Sequence, residues 1–578
     1  MSADEGASHA SLQTNQERVV SHPLFERHRA VLDQALKAIA KRGYWSAFPE
    51  SPSPKVYGEG AADTGNAAFD ALANKPFPIS LPGTVGTVGG ERSPYGITLG
   101  ISYPRVDLDA LFAAIATARD SWRKAGPEAW VGVCLEILTR INKRSFEIAH
   151  AIMHTTGQAF VMSFQAGGPH AQDRGLEAVA YAWDEMRRVP ARSYWEKPQG
   201  KNEPLKMEKR YAIVPRGVAL VIGCNTFPTW NGYPGLFASL ATGNAVIVKP
   251  HPNAILPLAI SVAIARDVLA DAGFDPNVVT LVAHEADDDM AQTLALRPEV
   301  KLIDFTGSST HGSWLERNAH QARVYAEKSG VNQIIIDSVE DFAGAARNIA
   351  FSLALYTGQM CTAPQNIYVP RVGIDTGEGH LSFDHVAQGL AAAIQKLVGD
   401  PARAVEILGA VVNDGVAERI HAARSLGAVV HDSQSLVHPQ FPNARIATPL
   451  LVKLDATDEA KYLKEWFGPI AFVIATDDTA QSLSIARRAV VDHGALTLSL
   501  YSSRPDVIED TIALAEETGV ALSINLTGGV FVNQSAAFSD YHGTGANPAA
   551  NAALTDAAFV AERFSVVQHR MHVATVPQ

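Results

Sequence analysis

Cys361 is the side chain best placed to do chemistry in this chain. It follows Gly358-Gln359-Met360 and precedes Thr362-Ala363-Pro364, at the end of an apolar helical stretch; the other two cysteines are Cys134 and Cys224. A thiolate is a strong nucleophile where a positive field or turn N–H groups lower its pKa. Taken alone, Cys361 reads more readily as a small buried apolar residue. The upstream stretch Ala326-Glu327-Lys328-Ser329-Gly330 changes the balance, because it opens a polar turn with a carboxylate just before the apolar run Ile334-Ile335-Ile336. Lys249 closes the run Ala245-Val246-Ile247-Val248, where a cation can reach ribose hydroxyls or a ribose phosphate. Gly307-Ser308-Ser309-Thr310-His311-Gly312 follows another apolar run, and backbone N–H groups at such a helix start face a pyrophosphate well.

These groups need a parallel sheet to carry them. Short apolar runs at 218–222, 245–248, 278–282 and 302–305 alternate with helical patterns at 256–272 and 287–296. Alternation of this kind predicts a twisted parallel sheet with helices on both faces, and ligands bind beyond the carboxyl ends of its strands. A second alternating series runs from Ile334 to about Ile524. Ahead of both, 106–123, 129–156 and 170–188 read as helices, and so does 23–42, with Leu24, Val31, Leu32, Ala35 and Ile39 near the helical period. Residues 1–20 are polar and read as mobile. The Pro/Gly-rich stretch from Phe48 to about Pro104 reads as an extended wrap over the body.

Bulk properties narrow the function. The chain has 578 residues, 47% hydrophobic and 19% charged, which suits a large globular enzyme of more than one domain. A net charge of −12 argues against a nucleic-acid surface. Three separated cysteines and no secretory leader point to the cytoplasm, and no apolar run is long enough for a membrane span. No spacing suggests a metal; His569 and His572 stand alone as a pair.

The blocks named so far, with Gly217–Gly223, Ala241-Thr242-Gly243-Asn244, Asp304-Phe305-Thr306-Gly307 and Glu465-Trp466-Phe467-Gly468-Pro469, resemble the aldehyde dehydrogenase superfamily over roughly residues 100–550. Gly358-Gln359-Met360-Cys361-Thr362-Ala363, Lys249-Pro250-His251-Pro252 and the long N-terminal extension look most like its phenylacetic acid degradation (PaaN) branch. The resemblance implies an α/β, aldehyde-dehydrogenase-like fold. An N-terminal helix and wrap would occupy 1–100. A Rossmann-type cofactor domain would span 101–325, with a return at about 536–578, and an α/β catalytic domain 326–535. It also implies oxidation of an aldehyde with NADP or NAD through a Cys361 thiohemiacetal and a thioacyl-enzyme. The aldehyde would be a semialdehyde from aromatic-acid breakdown, possibly carrying a coenzyme A thioester, and the enzyme a homo-oligomer whose segment 190–212 pairs across subunits.

Residue by residue, the resemblance gives Cys361 as nucleophile, Glu327 as base for water, Lys249 and Glu465 as the two ribose ligands, and Gly307, Ser308 and Gly312 as the pyrophosphate turn. It gives Asn225 as oxyanion donor, although the family register falls on Thr226. Three departures stand out: Pro252 replaces a ribose-binding carboxylate and so permits NADP, Gly235 replaces a lysine, and Lys328-Ser329 replaces Leu-Gly. His251-Pro252 resembles the coenzyme A-acylating branch, which leaves an acylating dehydrogenase as an alternative. A non-catalytic binding subunit is the other.

Overall fold

Five short runs of valine, isoleucine and alanine pair as one parallel sheet in the computed structural model, which describes residues 22–286 and 288–576. The expectation for residues 1–20 lies outside the described residues. The strands stand in the spatial order Val279–Leu281, Ala245–Lys249, Val218–Ile222, Val300–Thr306, Arg323–Glu327. The two strands Val218–Ile222 and Ala245–Lys249 are buried along their whole length. Helices on both faces require such uninterrupted apolar runs. Strand order reverses at the Val218 strand, which pairs with the Ala245 strand on one side and the Val300 strand on the other. Ligands of open α/β sheets bind at the carboxyl side of such a switch point. The register puts Ile222 beside Lys249 and Phe305, and Thr306 beside Glu327. The Cys224 loop, Lys249, the Gly307 turn and Glu327 therefore share one rim.

The second series forms a seven-stranded sheet, ordered Ala428–His431, Leu450–Asp455, Ile470–Thr476, Asn366–Pro370, Gln333–Ile336, Thr497–Tyr501, Ala521–Ile524. Only the Ala428 edge strand runs antiparallel. The five-stranded sheet ends at Glu327 and the seven-stranded one begins at Gln333, so Glu327 sits on the short connection between the two cores. A third, antiparallel sheet joins the hairpin Arg192–Gln199 and Asn202–Pro215 to the C-terminal strand Phe564–His572. His569 and His572 lie on that strand, where side chains three apart point to opposite faces.

Helix Pro23–Lys41 starts with a proline at its first turn and buries Phe25, Leu32, Ala35 and Ala38. It packs on helices Pro127–Lys143 and Ala171–Arg187. Two elements differ from expectation. The stretch read as one helix over 129–156 breaks at Arg144 (φ −107, ψ 20), giving Pro127–Lys143 and Ser145–Thr156. The guanidinium of Arg144 grips Glu147 at 2.6 Å across the break, and no proline or glycine marks it in the sequence. The wrap contains a helix, Ala61–Asp70, whose Gly65 and Asn66 are poor helix formers; packing of Gly65 and Phe69 overrides them.

The C-terminal return is tied to the first sheet by a buried ion pair. Arg563 donates to both carboxylate oxygens of Asp304 at 2.8 and 2.6 Å and to Ser239 Oγ at 2.7 Å. This explains the glycine at 235: a Cβ there would stand 2.4 Å from Asp304 Cγ.

Candidate active site

Cys361 sits beyond a backbone that is wound the wrong way. After helix Phe342–Ala354, Tyr356 (φ 51), Thr357 (φ 52) and Gly358 (φ 60) are left-handed in succession. For a tyrosine and a β-branched threonine this costs about 1–2 kcal/mol each. Buried hydrogen bonds hold it: Tyr356 Oη donates to Thr156 O at 2.5 Å and Thr357 Oγ1 to Leu408 O at 2.7 Å. At Gly358 a Cβ would lie 2.5 Å from Gly468 O, so the glycine lets the cysteine loop touch the Glu465–Pro469 loop. Asn332 Nδ2 then donates to Cys361 O at 2.7 Å while its Oδ1 takes Leu496 N and Thr497 N. The backbone at Cys361 is thereby tied to the seven-stranded sheet.

Glu327 ends its strand almost wholly buried, at 2% exposure. Its Oε2 accepts from Asn231 Nδ2 at 3.2 Å and meets His542 Nε2 at 3.0 Å; Oε1 is buried with no partner. Burial opposes the charge of Glu327, yet the His542 imidazole and the Cys361 thiol outweigh it and hold the carboxyl below its ordinary range. Burial first, then the Glu327 charge, push the Cys361 thiol well up. His542 Nε2 also faces Cys361 Sγ at 3.7 Å. One oxygen of Glu327, the sulfur and one ring nitrogen thus lie within 4.8 Å of one another.

Sequence reasoning missed His542. Its neighbours, Tyr541 and Gly543-Thr544-Gly545, carry no spacing signal, and only the fold brings them back to Cys361. The ring stands edge-on to Trp230 at 4.5 Å. Its loop is braced by Arg174, which donates to Asp540 O at 3.0 Å and Ser535 Oγ at 3.0 Å, and by Arg42 over the Tyr541 ring at 4.2 Å.

The side-chain amide of Asn225 is buried with neither its nitrogen nor its oxygen bonded. The Thr226 hydroxyl instead faces the Cys224 sulfur. Of the two, Asn225 is therefore the one whose side chain makes no hydrogen bond.

On the other side of the rim the residues suit a dinucleotide. Lys249 is buried, and burial alone brings its pKa down to about 8. The imidazoles of His251, His284 and His311 feel its charge, and His284 Nε2 and His311 Nε2 are buried without partners. Unsatisfied nitrogens around an unpaired ammonium fit an oxygen-rich ligand. Gly307 N bonds Glu327 O at 3.1 Å, and Ser308 caps helix Ser309–Asn318 by accepting from His311 N. Lys328, unusual at its position, pairs with Glu316 at 2.8 Å. Glu465 is raised by burial, while the Ser329 hydroxyl and Gly330 N bond it.

A cavity of about 790 Å³ opens on Cys361 and His542. Phe227, Trp230, Met360, and the stacked pair Phe351 and Phe531, 4.1 Å apart, form its apolar wall. Its carboxylates are Glu50, Asp173, Glu406 and Asp540, and no lysine or arginine lines it among the described residues. Tyr44, Trp45 and Ser46 close one side. That strap is anchored: Ser46 Oγ donates to Asp173 Oδ2 at 2.5 Å, Ala47 N to Oδ1 at 3.0 Å, and Trp45 stands edge-on to Phe538 at 4.8 Å.

Comparison with known proteins gives the family. Residues 101–539 match the aldehyde dehydrogenase family. A crystal structure of an NAD-dependent aldehyde dehydrogenase from Burkholderia multivorans is 67% identical, with a TM-score of 0.95 over 96% of this chain and 100% of that one. N-succinylglutamate 5-semialdehyde dehydrogenase of Chromobacterium violaceum is 26% identical over 384 residues, 66% of this chain and 74% of that protein. The NAD benzaldehyde dehydrogenase of Pseudomonas putida is 25% identical over 435 residues, 74% of this chain and 80% of its own length. The chain belongs to the aldehyde dehydrogenase family and is an NAD(P)-dependent aldehyde dehydrogenase.

Proposed function

We propose that this enzyme oxidises an aldehyde with no negative charge near the reacting carbon, and releases the free acid. The aromatic cavity wall, which no lysine or arginine lines among the described residues, carries the reading. A substrate carboxylate inside it would meet Glu406 and Asp540, while Glu50 is paired with His170 at 2.7 Å and burial keeps a proton on Asp173 up to about pH 7. Two like charges about 8 Å apart cost about 2 kcal/mol at an effective dielectric constant of about 20. A semialdehyde from aromatic-acid breakdown, with a coenzyme A thioester far from the aldehyde, meets the condition, and so does an aromatic aldehyde. Resemblance to the phenylacetic acid degradation branch favours the first.

In this reading Cys361 Sγ attacks the carbonyl carbon, and the alkoxide takes hydrogen bonds from the Asn225 amide and the Cys361 N–H. Lys249, Gly307, Ser308, Gly312 and Glu465 would hold the dinucleotide, which when bound would supply the hydride acceptor for the oxidation. Glu327 Oε1, free of partners, takes the proton of the attacking water. Positioned base chemistry of this kind favours water over coenzyme A, a thiol that needs little help. The hairpin sheet exposes Leu205, Val566, Val567 and Met571, which supports pairing between copies; sedimentation as a strict monomer at micromolar concentration would count against it.

Product analysis tests the whole reading: aromatic, thioester-bearing and carboxylate-bearing aldehydes, each with and without coenzyme A, followed by absorbance of the reduced nicotinamide. Free acid from the first two classes and weak turnover of the third is expected. Cys361→Ala should bind nucleotide and turn nothing over. Best turnover of a short carboxylate semialdehyde, or a strict need for coenzyme A, overturns the proposal.

A further inference from the structure

Three side chains at the reacting sulfur make a set of metal donors that no spacing in the sequence announces. Cys361 Sγ, His542 Nε2 and a carboxylate oxygen of Glu327 lie within 4.8 Å of one another. The sulfur stands 3.7 Å from the ring nitrogen, and that nitrogen 3.0 Å from Glu327 Oε2. A tetrahedral zinc ion sits about 2.3 Å from sulfur, about 2.0 Å from imidazole nitrogen and about 2.1 Å from carboxylate oxygen. Those lengths space sulfur and nitrogen about 3.6 Å apart, and nitrogen and oxygen about 3.4 Å apart. Closing the three residues on such an ion therefore takes a shift of about 0.4 Å. Glu327 and His542 are 2% and 4% exposed, so the donors are held in place before any ion arrives. Glu327 Oε1, buried with no partner, offers the same ion a second oxygen.

We propose that Cys361, His542 and Glu327 form a zinc site whose occupant takes the sulfur out of the reaction. The site stands on its own geometry; the inhibition rests on Cys361 being the nucleophile. The charges balance. Zinc replaces the thiol hydrogen, which leaves to solvent. The neutral imidazole, whose Nε2 hydrogen now faces Glu327 Oε2, moves that hydrogen to Nδ1, which has no hydrogen-bond partner among the described residues. One thiolate and one carboxylate then cancel the two positive charges of the ion, with the imidazole as a neutral third ligand. A buried centre of no net charge avoids the desolvation cost that an unpaired ion would meet there. The cavity opens on Cys361 and His542, so the ion has a way in and water can take the fourth position. Thiolate and imidazole suit zinc, whereas magnesium and calcium are bound by oxygens.

The contacts behind the three ligands suit a metal. Asn231 Nδ2 holds Glu327 Oε2 at 3.2 Å while Asn231 Oδ1 faces Cys224 Sγ at 3.6 Å, so one amide orients the carboxylate and occupies the second thiol. The edge-on Trp230 ring at 4.5 Å fixes the imidazole, and Arg174 holds the His542 loop through Asp540 O and Ser535 Oγ. Among the described residues no lysine or arginine lines the cavity to repel a cation, and Glu406 and Asp540 on its wall draw one in.

The test uses the full chain, stripped with a chelator and then dialysed against zinc chloride at neutral pH. Bound zinc is counted in wild type, His542→Ala and Cys361→Ser. One zinc per wild-type chain is expected, with affinity at least about a hundredfold lower in each variant, since loss of even an outer partner costs about 10- to 100-fold. Cobalt chloride in place of zinc should give the near-ultraviolet sulfur-to-cobalt band and the strong visible bands of a tetrahedral site, and the sulfur band should vanish in Cys361→Ser. Zinc should shield Cys361 from iodoacetamide, read by peptide mass spectrometry, and stop aldehyde turnover until EDTA is added; magnesium should do neither. Melting of the metal-free variants reports whether each folds, and His542→Gln is read in the same way should the Ala variant melt early. Equal zinc affinity in wild type and the folded His542 variant, zinc retained by Cys361→Ser, or a cobalt spectrum with no sulfur band overturns the proposal. Failure of the nucleophile reading is a separate result: zinc would bind through the three residues and leave aldehyde turnover intact.

Discussion

Replacing Glu327 by Gln should split the reaction in two. The substitution is nearly isosteric, and the amide oxygen can still accept from Asn231 Nδ2 where Oε2 now does, at 3.2 Å. The amide nitrogen then occupies the place of Oε1, the buried oxygen without a partner, and it cannot take a proton from water. The first half-reaction should not suffer, because the Glu327 charge is one of the forces pushing the Cys361 thiol up, and the variant lacks it. The second half-reaction loses a positioned base, worth roughly 10²- to 10⁴-fold. At about 1.4 kcal/mol per decade this adds about 2.8–5.6 kcal/mol to the barrier for hydrolysis. Stopped-flow absorbance should therefore show a burst of about one reduced nicotinamide per active site, then a slow steady rate. Acid quenching during the slow phase should trap acyl-enzyme at Cys361. A linear trace at the wild-type rate would refute the reasoning, because it would mean that water needs no help from Glu327. Since the carboxyl is held below its ordinary range, the wild-type hydrolysis rate should also show no acid limb from this group above about pH 5.

Three further outcomes are expected. NADP should be accepted beside NAD, since Pro252 leaves no carboxylate to repel a 2′-phosphate. His251 and His284, near pKa 4 through burial and then the Lys249 charge, should take up protons when that phosphate binds, so the NADP:NAD affinity ratio should rise as pH falls from 8 to about 5.5; a flat ratio by calorimetry refutes this. Trp45→Ala should lower kcat/KM for aromatic aldehydes by roughly tenfold, about 1.4 kcal/mol, with smaller loss for short ones; equal loss across a series of lengths would show that the strap is not a wall. Burial raises Asp173 to about 7 against the hydrogen bonds from the strap, so its proton is bound more tightly in the folded chain. The stability this contributes is complete at acidic pH, below the unfolded pKa of about 4, and is lost as pH rises through 7. Melting temperatures of wild type should fall relative to Asp173→Asn between pH 5 and 8, and parallel curves would refute the sign.

What could be read without coordinates follows from how local each signal is. The strands at 218–222 and 245–249 are legible because each is a run of five buried apolar or strand-ending residues bounded by glycine, asparagine or proline. Cys361 and Glu327 are legible because each lies in a distinctive short block, and the structure places the two together. Gly235 was read as a missing lysine; its physical reason, the Asp304 carboxylate pressed against it, depends on Arg563 from the far end of the chain. His542 had no local signal, since a lone histidine among glycine, threonine and alanine has no period or partner. The break at Arg144 and the helix Ala61–Asp70 went unread for the opposite reason: tertiary packing overruled what local propensity favoured.

The strap of Tyr44, Trp45 and Ser46 has a consequence for how such enzymes diversify. It precedes residues 101–539, the part that matches the family, yet it forms one side of the cavity that opens on Cys361. One side of the cavity is therefore encoded apart from the stretch that carries Cys361, Glu327 and the rest of the wall. A recombination or drift confined to the first fifty codons could retune which aldehydes enter while leaving Cys361, Glu327 and the dinucleotide rim untouched. Two sequences that agree at every reacting residue can thus differ in diet, and alignments trimmed to the shared region would sort them together.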